Sequence, residues 1–233
     1  MFAFGFCPYS IVMDSGNKEI LGRINVVTRV VSFKEEERFE HIRYYCNDKE
    51  IAMEVYDKNG ILLYATGIIP DGIVREYYRI GVLKKEITFK DGRAHGRGID
   101  YYPSGEIFEE STFMQGHLHG PNRMYRRDGA PWIEANYKDG KLHGTFTSYH
   151  DNGNTETRAE YNDGKLNGSY KKYDIYNNLL EEGTFNQGEQ QGDHRYYHVT
   201  GQLARIERYS RGKLICLKEF DEEGRATIVT ECR

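Results

Sequence analysis

A period of 24 residues governs this sequence. Gly72, Gly96, Gly120, Gly144, Gly168 and Gly192 follow it, and so do Gly92, Gly116, Gly140, Gly164, Gly188 and Gly212. A third series runs Gly81, Gly105, Gly129, Gly153, Asn177 and Gly201. After Gly, Asn is the residue that best tolerates a left-handed backbone, so the exchange at 177 points to a conformational requirement. Two aromatic columns keep the same spacing. One is Tyr77, Tyr101, Tyr125, Tyr149, Tyr173 and Tyr197; the other is Phe89, Phe113, Tyr137, Tyr161, Phe185 and Tyr209. Fixed-period repetition is the signature of arrays in which each unit buries its surface against the next.

One unit, Gly96 to His119, reads as a hairpin. Residues 97–102 alternate as a short strand, Pro103-Ser104-Gly105 turns, 106–113 return, and 114–119 loop into the next unit. Arg127-Asp128-Gly129 and Asp151-Asn152-Gly153 stand at the same turn, a hairpin signal between alternating residues. No sustained helical period competes. The expected fold is all-β, an elongated twisted antiparallel sheet of stacked β-hairpin repeats. Residues 1–50 form a β-rich arm or cap, with strands at 21–33 and 39–46. Residues 51–215 form the array, regular from 72, and 216–233 a capping hairpin. Atypical ends protect the open edges of such arrays.

Composition narrows the function. The net charge of −4 and 29% charged residues fit a soluble chain without an electrostatic grip on nucleic acid. No apolar run reaches the ~18 residues of a membrane helix, and the N-terminus lacks a basic leader, which together suggest a cytoplasmic protein. Cys7, Cys46, Cys216 and Cys232 form no CxxC pair and are taken as free thiols.

With Tyr101 set opposite Ile107, one face holds Tyr101, Ile107, Ser111 and Phe113 and is the one to be buried. The other collects Glu86, Glu110, Glu134, Arg158 and Glu182 and is wet. An aromatic face cannot lie flat in water, so the sheet curls, pairs with a second copy, or receives a partner. The column Lys84, Phe108, Trp132, Glu156, Leu180 and Ala204 then falls on the wet face. Trp132 and Phe108, with Tyr102, Arg126 and His150 from the opposing strands, form a candidate binding patch of aromatic and Arg residues. The alternative is a local bulge, helped by Pro131, that turns this column inward.

The segments Phe-Lys-Asp-Gly-Arg-Ala-His-Gly at 89–96, Tyr-Lys-Asp-Gly-Lys-Leu-His-Gly at 137–144 and Tyr-Asn-Asp-Gly-Lys-Leu-Asn-Gly at 161–168 resemble the MORN repeat in its bacterial variant form. Chains of this kind are grouped as the YwqK-like antitoxin family. The resemblance covers about residues 72–215 and implies stacked β-hairpins with a role in protein or lipid contact. It implies no enzyme.

His95, His119 and His143 share a column, but equivalent residues in successive hairpins lie two strands, ~9.5 Å, apart, too far to share one metal ion. No metal or other cofactor is expected, and no catalytic motif is present. The Tyr and Gly columns, from Tyr77 to Tyr197 and from Gly96 to Gly192, are read as a structural ladder. The leading expectation is a non-enzymatic scaffold for protein–protein interaction, possibly as a homodimer. Alternatives are an antitoxin-like partner binder, a membrane-surface lipid adaptor, and a carbohydrate-binding module or enzyme using the Tyr-lined face.

Overall fold

The computed structural model of the protein describes residues 25–34, 39–46, 49–78 and 80–230. Among these there are strands and turns but no helix. The chain forms two compact units, 1–117 and 118–233.

The first unit opens with β1 (Asn25–Lys34), β2 (Phe39–Cys46), β3 (Lys49–Tyr56) and β4 (Leu62–Gly67). These pair antiparallel in chain order. β5 (Gly72–Tyr77) then runs parallel to β1, with Val27 opposite Val74. β6 (Leu83–Lys90), β7 (Arg93–Tyr101) and β8 (Ile107–Met114) extend the sheet antiparallel from β5. The sheet is therefore mixed, with β4 at one edge among the described strands. Only four residues, 68–71, link β4 to β5, although three strands stand between them in the sheet. Crossing a flat sheet would take about 19 Å at ~4.8 Å per strand, beyond the ~17 Å this link can span, so β1–β4 must curl. Ile69, in the link, closes the apolar cluster of Val27, Ile42, Tyr44, Ala52 and Val74.

After β9 (His117–Leu118), the second unit is a run of antiparallel neighbours: β10 (Gly120–Tyr125), β11 (Pro131–Lys138), β12 (Lys141–Tyr149), β13 (Thr155–Asn162), β14 (Lys165–Tyr173), β15 (Leu179–Asn186), β16 (Glu189–Tyr197), β17 (Leu203–Ser210), β18 (Lys213–Phe220) and β19 (Ala226–Val229). The strands expected at 21–33 and 39–46 correspond to β1 and β2, except that residues 21–24 lie outside the described residues.

Two turns alternate. Asn177 has φ +68°, as its place in the Gly column requires. The second turn is tighter than the loop expected at that position. Asp139-Gly140 and Asp163-Gly164 both have positive φ and join strands paired immediately outside them, Lys138 with Lys141 and Asn162 with Lys165. This is the two-residue hairpin whose twist matches the strands. The alternating strands consequently start earlier than the sequence suggested.

A bulge recurs on the strand that follows the first turn. Tyr101 pairs with Ile107 while Asp100 pairs with Glu109, leaving Phe108 as the extra residue; Trp132 and Glu156 are extra in the same way. This corrects the assignment of faces. Tyr101 does not share the face of Ser111 and Phe113. Its hydroxyl donates to Glu86 at 3.3 Å, and Tyr149 and Tyr197 donate to Glu134 and Glu182 at 2.9 and 2.8 Å. The bulge breaks the two-residue alternation on which the sequence reading relied. Lys84 and Glu156 of the bulged column are likewise not on the wet face, for they bond Glu76 and Ser148, both buried.

The packed face is built by size matching. Ser111, Ala135 and Ala159 are buried on it, and edge-to-face contacts link Phe146 to Tyr161, Tyr170 to Phe185, and Phe185 through His194 to Tyr209. His194 is fully buried because Gly183 leaves it room: a Cβ at 183 would overlap the imidazole.

The cysteines differ from expectation. Cys46 and Cys216 are each engaged in a disulfide, and no described cysteine is free. Spacing in sequence excluded a CxxC pair but carried no information on which thiols the fold brings together. Cys7 and Cys232 lie outside the described residues.

Candidate functional site

The residues singled out from sequence separate into local pairs. In the first unit the Tyr102 and Phe108 rings meet edge to face, with centroids 5.1 Å apart. In the second, the Arg126 guanidinium lies 5.9 Å from the Trp132 ring centre, and Trp132 is 38% exposed. Arg126 also donates to the carbonyl of Tyr149 at 2.6 Å and pairs with Asp151 at 2.7 Å. His150 makes the equivalent contact one repeat on, its Nε2 lying 3.0 Å from the Tyr173 carbonyl. The same position is used by Tyr78, donating to the Tyr101 carbonyl at 2.7 Å, and by His198, at 3.3 Å from that of Phe220. Arg126 and His150 therefore belong to a ladder that ties each repeat to the next, where a single hydrogen bond contributes about 1 kcal/mol.

The His column serves loops. His119 Nδ1 lies 3.3 Å from Asp139, and Asn167, the later member of the column, accepts from the backbone N–H of Gln187 at 3.1 Å. Among the described residues no group of His, Cys, Asp and Glu is arranged to hold a metal ion.

Two features were not found from sequence. The first is a cavity of 330 Å³ inside the first unit, lined by Arg29, Tyr44, Glu54, Glu76 and Lys85 above Ile42, Val74, Ile87 and Phe89. Arg29 and Lys84 both bond Glu76, each at 2.5 Å, Tyr44 donates to Glu54 at 2.7 Å, and Lys85 pairs with Asp100 at 3.1 Å. Burial pushes the Glu76 carboxyl up, but Lys84 and Arg29 together hold it below the ordinary carboxylate range. Burial also raises the Tyr44 phenol, and the hydrogen bond to Glu54 raises it further. Asp100 is raised by burial in spite of Lys85. The network stabilises charge and aligns these groups on one another. Among the described residues it brings no nucleophile and base together over a vacant reacting position.

The second feature is β4. Every residue of it is exposed. Ile61, Leu62, Leu63, Tyr64 and Ile68 are 49–70% exposed, and the segment from Ile61 to Pro70 contains no charged residue. Among the described strands β4 pairs with β3 alone, so its other edge has no strand partner among them. The apolar run was visible in the sequence; that it forms a sheet edge depends on the pairing of β1 with β5.

Comparison with known proteins supports the repeat reading. Residues 70–91, 94–115 and 142–163 match the MORN repeat variant. Repeats of this kind build scaffolds that commonly contact proteins or membranes and are generally not enzymes. No curated protein matches the chain. A crystal structure of a protein of unknown function from Bacteroides caccae is similar at 13% identity, with 91% of this chain and 82% of that chain covered and a TM-score of 0.19.

Proposed function

We propose that the protein is a non-enzymatic repeat scaffold that binds another polypeptide along the free edge of β4. The observation that carries this reading is the strand itself: uncharged, exposed over its whole length and, among the described strands, paired on one side only. Natural edge strands are guarded by charge, Pro or bulges, because an open edge templates the addition of a strand. The similarity to MORN repeats agrees with a binding role. The exposed ring of Trp132, with Arg126 beside it, is a secondary contact on the second unit. The disulfides at Cys46 and at Cys216 further favour residence in an oxidising compartment over the cytosol.

One experiment in intact cells tests both points. A photoreactive phenylalanine analogue in place of Tyr64 is expected to yield a discrete protein adduct on illumination, lost when Leu63→Lys puts a charge on the edge. Iodoacetamide added before lysis is expected to leave Cys46 and Cys216 unmodified until reductant is supplied. Absence of any protein adduct removes the binding reading, and alkylation of both cysteines without reductant removes the compartment reading.

A further inference from the structure

We infer that the polypeptide received by β4 is a second copy of this chain, joined β4 to β4 in antiparallel pairing about a two-fold axis. This rests on β4 being the binding edge and adds the identity of the partner. Three observations lead to it.

The first is charge. A foreign partner is commonly selected through complementary charges, which also exclude wrong partners. Between Ile61 and Pro70 there are none to read. What β4 presents is a backbone edge and apolar side chains, and its own sequence reversed presents the same. A pairing centred on Tyr64 sets Leu62 against Thr66 and Leu63 against Ala65. No like charges meet, and aliphatic and aromatic groups lie across the new strand pair, where such neighbours are stabilising.

The second is area. Ile61, Leu62, Leu63, Tyr64 and Ile68 leave about half or more of each residue in water. These side chains expose roughly 500 Å² per copy, so a pairing that covers most of it approaches the ~1,000 Å² in total that a specific interface requires.

The third is closure. Pairing the same edge on both copies is isologous and stops at two, whereas pairing β4 with a different edge would be heterologous and propagate. β19 is the other short terminal strand, but it spans only Ala226–Val229 and follows a turn carrying Asp221, Glu222, Glu223 and Arg225. The longer, uncharged strand is matched best by itself.

The test uses the full chain with its disulfides intact. Sedimentation equilibrium is expected to show twice 27.1 kDa at tens of micromolar protein, with no larger species. Leu63→Lys and, separately, Thr66→Lys are expected to weaken the dimer at least tenfold. Both positions are exposed, and circular dichroism at low concentration is expected to match the unsubstituted chain. Crosslinks from the photoreactive group at 64 are expected within residues 61–70 of the second copy. The inference is overturned by a monomer at 100 µM, by Lys variants that dimerise as tightly as the parent, by growth beyond the dimer, or by crosslinks to another strand. Flotation with neutral or anionic vesicles that Leu63→Lys abolishes would overturn it too, by making the edge a lipid contact. An in-cell adduct with a different protein would defeat self-pairing and leave the scaffold reading standing; no adduct at all would defeat both.

Discussion

The non-repeating cap strands β1–β4, closed on β5, and the repeats β10–β18 solve the same problem by different means. The cap has an apolar cluster, with Val27, Ile42, Tyr44, Ala52, Ile69 and Val74 all buried, and a curled sheet around it. The repeats have little such core. Their fully packed positions are small or polar, such as Ala135, Ala159, Asn122, Ser148 and His194, and the large rings meet at their edges. A repeat has two short strands and one face to bury, so its stability comes from neighbour-to-neighbour terms: the ring contacts, the Tyr–Glu bonds and the carbonyl ladder. The strands β1–β4 do not carry the 24-residue period, and their side chains pack into a core of their own. The cap therefore stands or falls as a whole, while damage to a repeat should stay local.

The sharpest test of this contrast is at Glu76, which joins β1 to the first repeat by bonding Arg29 on β1 and Lys84 on β6. Glu76→Gln leaves both cations without their carboxylate and is expected to cost about 3 kcal/mol at pH 7, read from urea unfolding. The folded pKa of Glu76 is depressed, so its contribution is complete above the unfolded value of about 4.3 and is lost as pH falls through the folded value. The difference between parent and variant should therefore close on acidification below pH 4. A constant difference down to pH 2 would show that the carboxylate is not held by these charges.

In the second unit, Gly183→Ala forces a methyl against the buried His194 ring and is expected to cost about 1–3 kcal/mol. Adding His194→Ala should make the double change milder than the two single costs combined, since the clash disappears with the ring. Simple additivity would mean that 183 and 194 do not share a packing site. Least in size, Arg126→Ala and His150→Ala each remove one rung and should cost about 1 kcal/mol. Hydrogen exchange is expected to rise around 126–155 or 150–179 respectively and not across the whole chain. Uniform acceleration would contradict nearest-neighbour stability.

Much of this architecture was legible in the sequence because it is local. Turn conformation belongs to single residues, and Gly, Asn177 and the Asp-Gly pairs require a left-handed backbone wherever they occur. Strand alternation follows from the pleat, and it correctly placed Ser111 and Phe113 on the packed face. It failed at the bulge. There one extra residue per repeat, at Phe108, Trp132 or Glu156, sends the Tyr column to the Glu side. A bulge has no residue signature of its own here; it is set by how two strands register against each other.

By itself, then, the sequence determined the hairpin unit, its 24-residue period, its turns and the all-β class, since each depends on contacts within a few residues or on one unit meeting an identical neighbour. Tertiary structure alone decided that β1 lies parallel to β5, that Arg29 reaches Glu76 across 47 residues, that Cys46 and Cys216 are oxidised, and that the apolar run after Gly60 becomes an open edge. These depend on which distant segments come together. No periodicity encodes that choice; it is made by the shared burial of apolar side chains and the pairing of the backbone groups they carry with them.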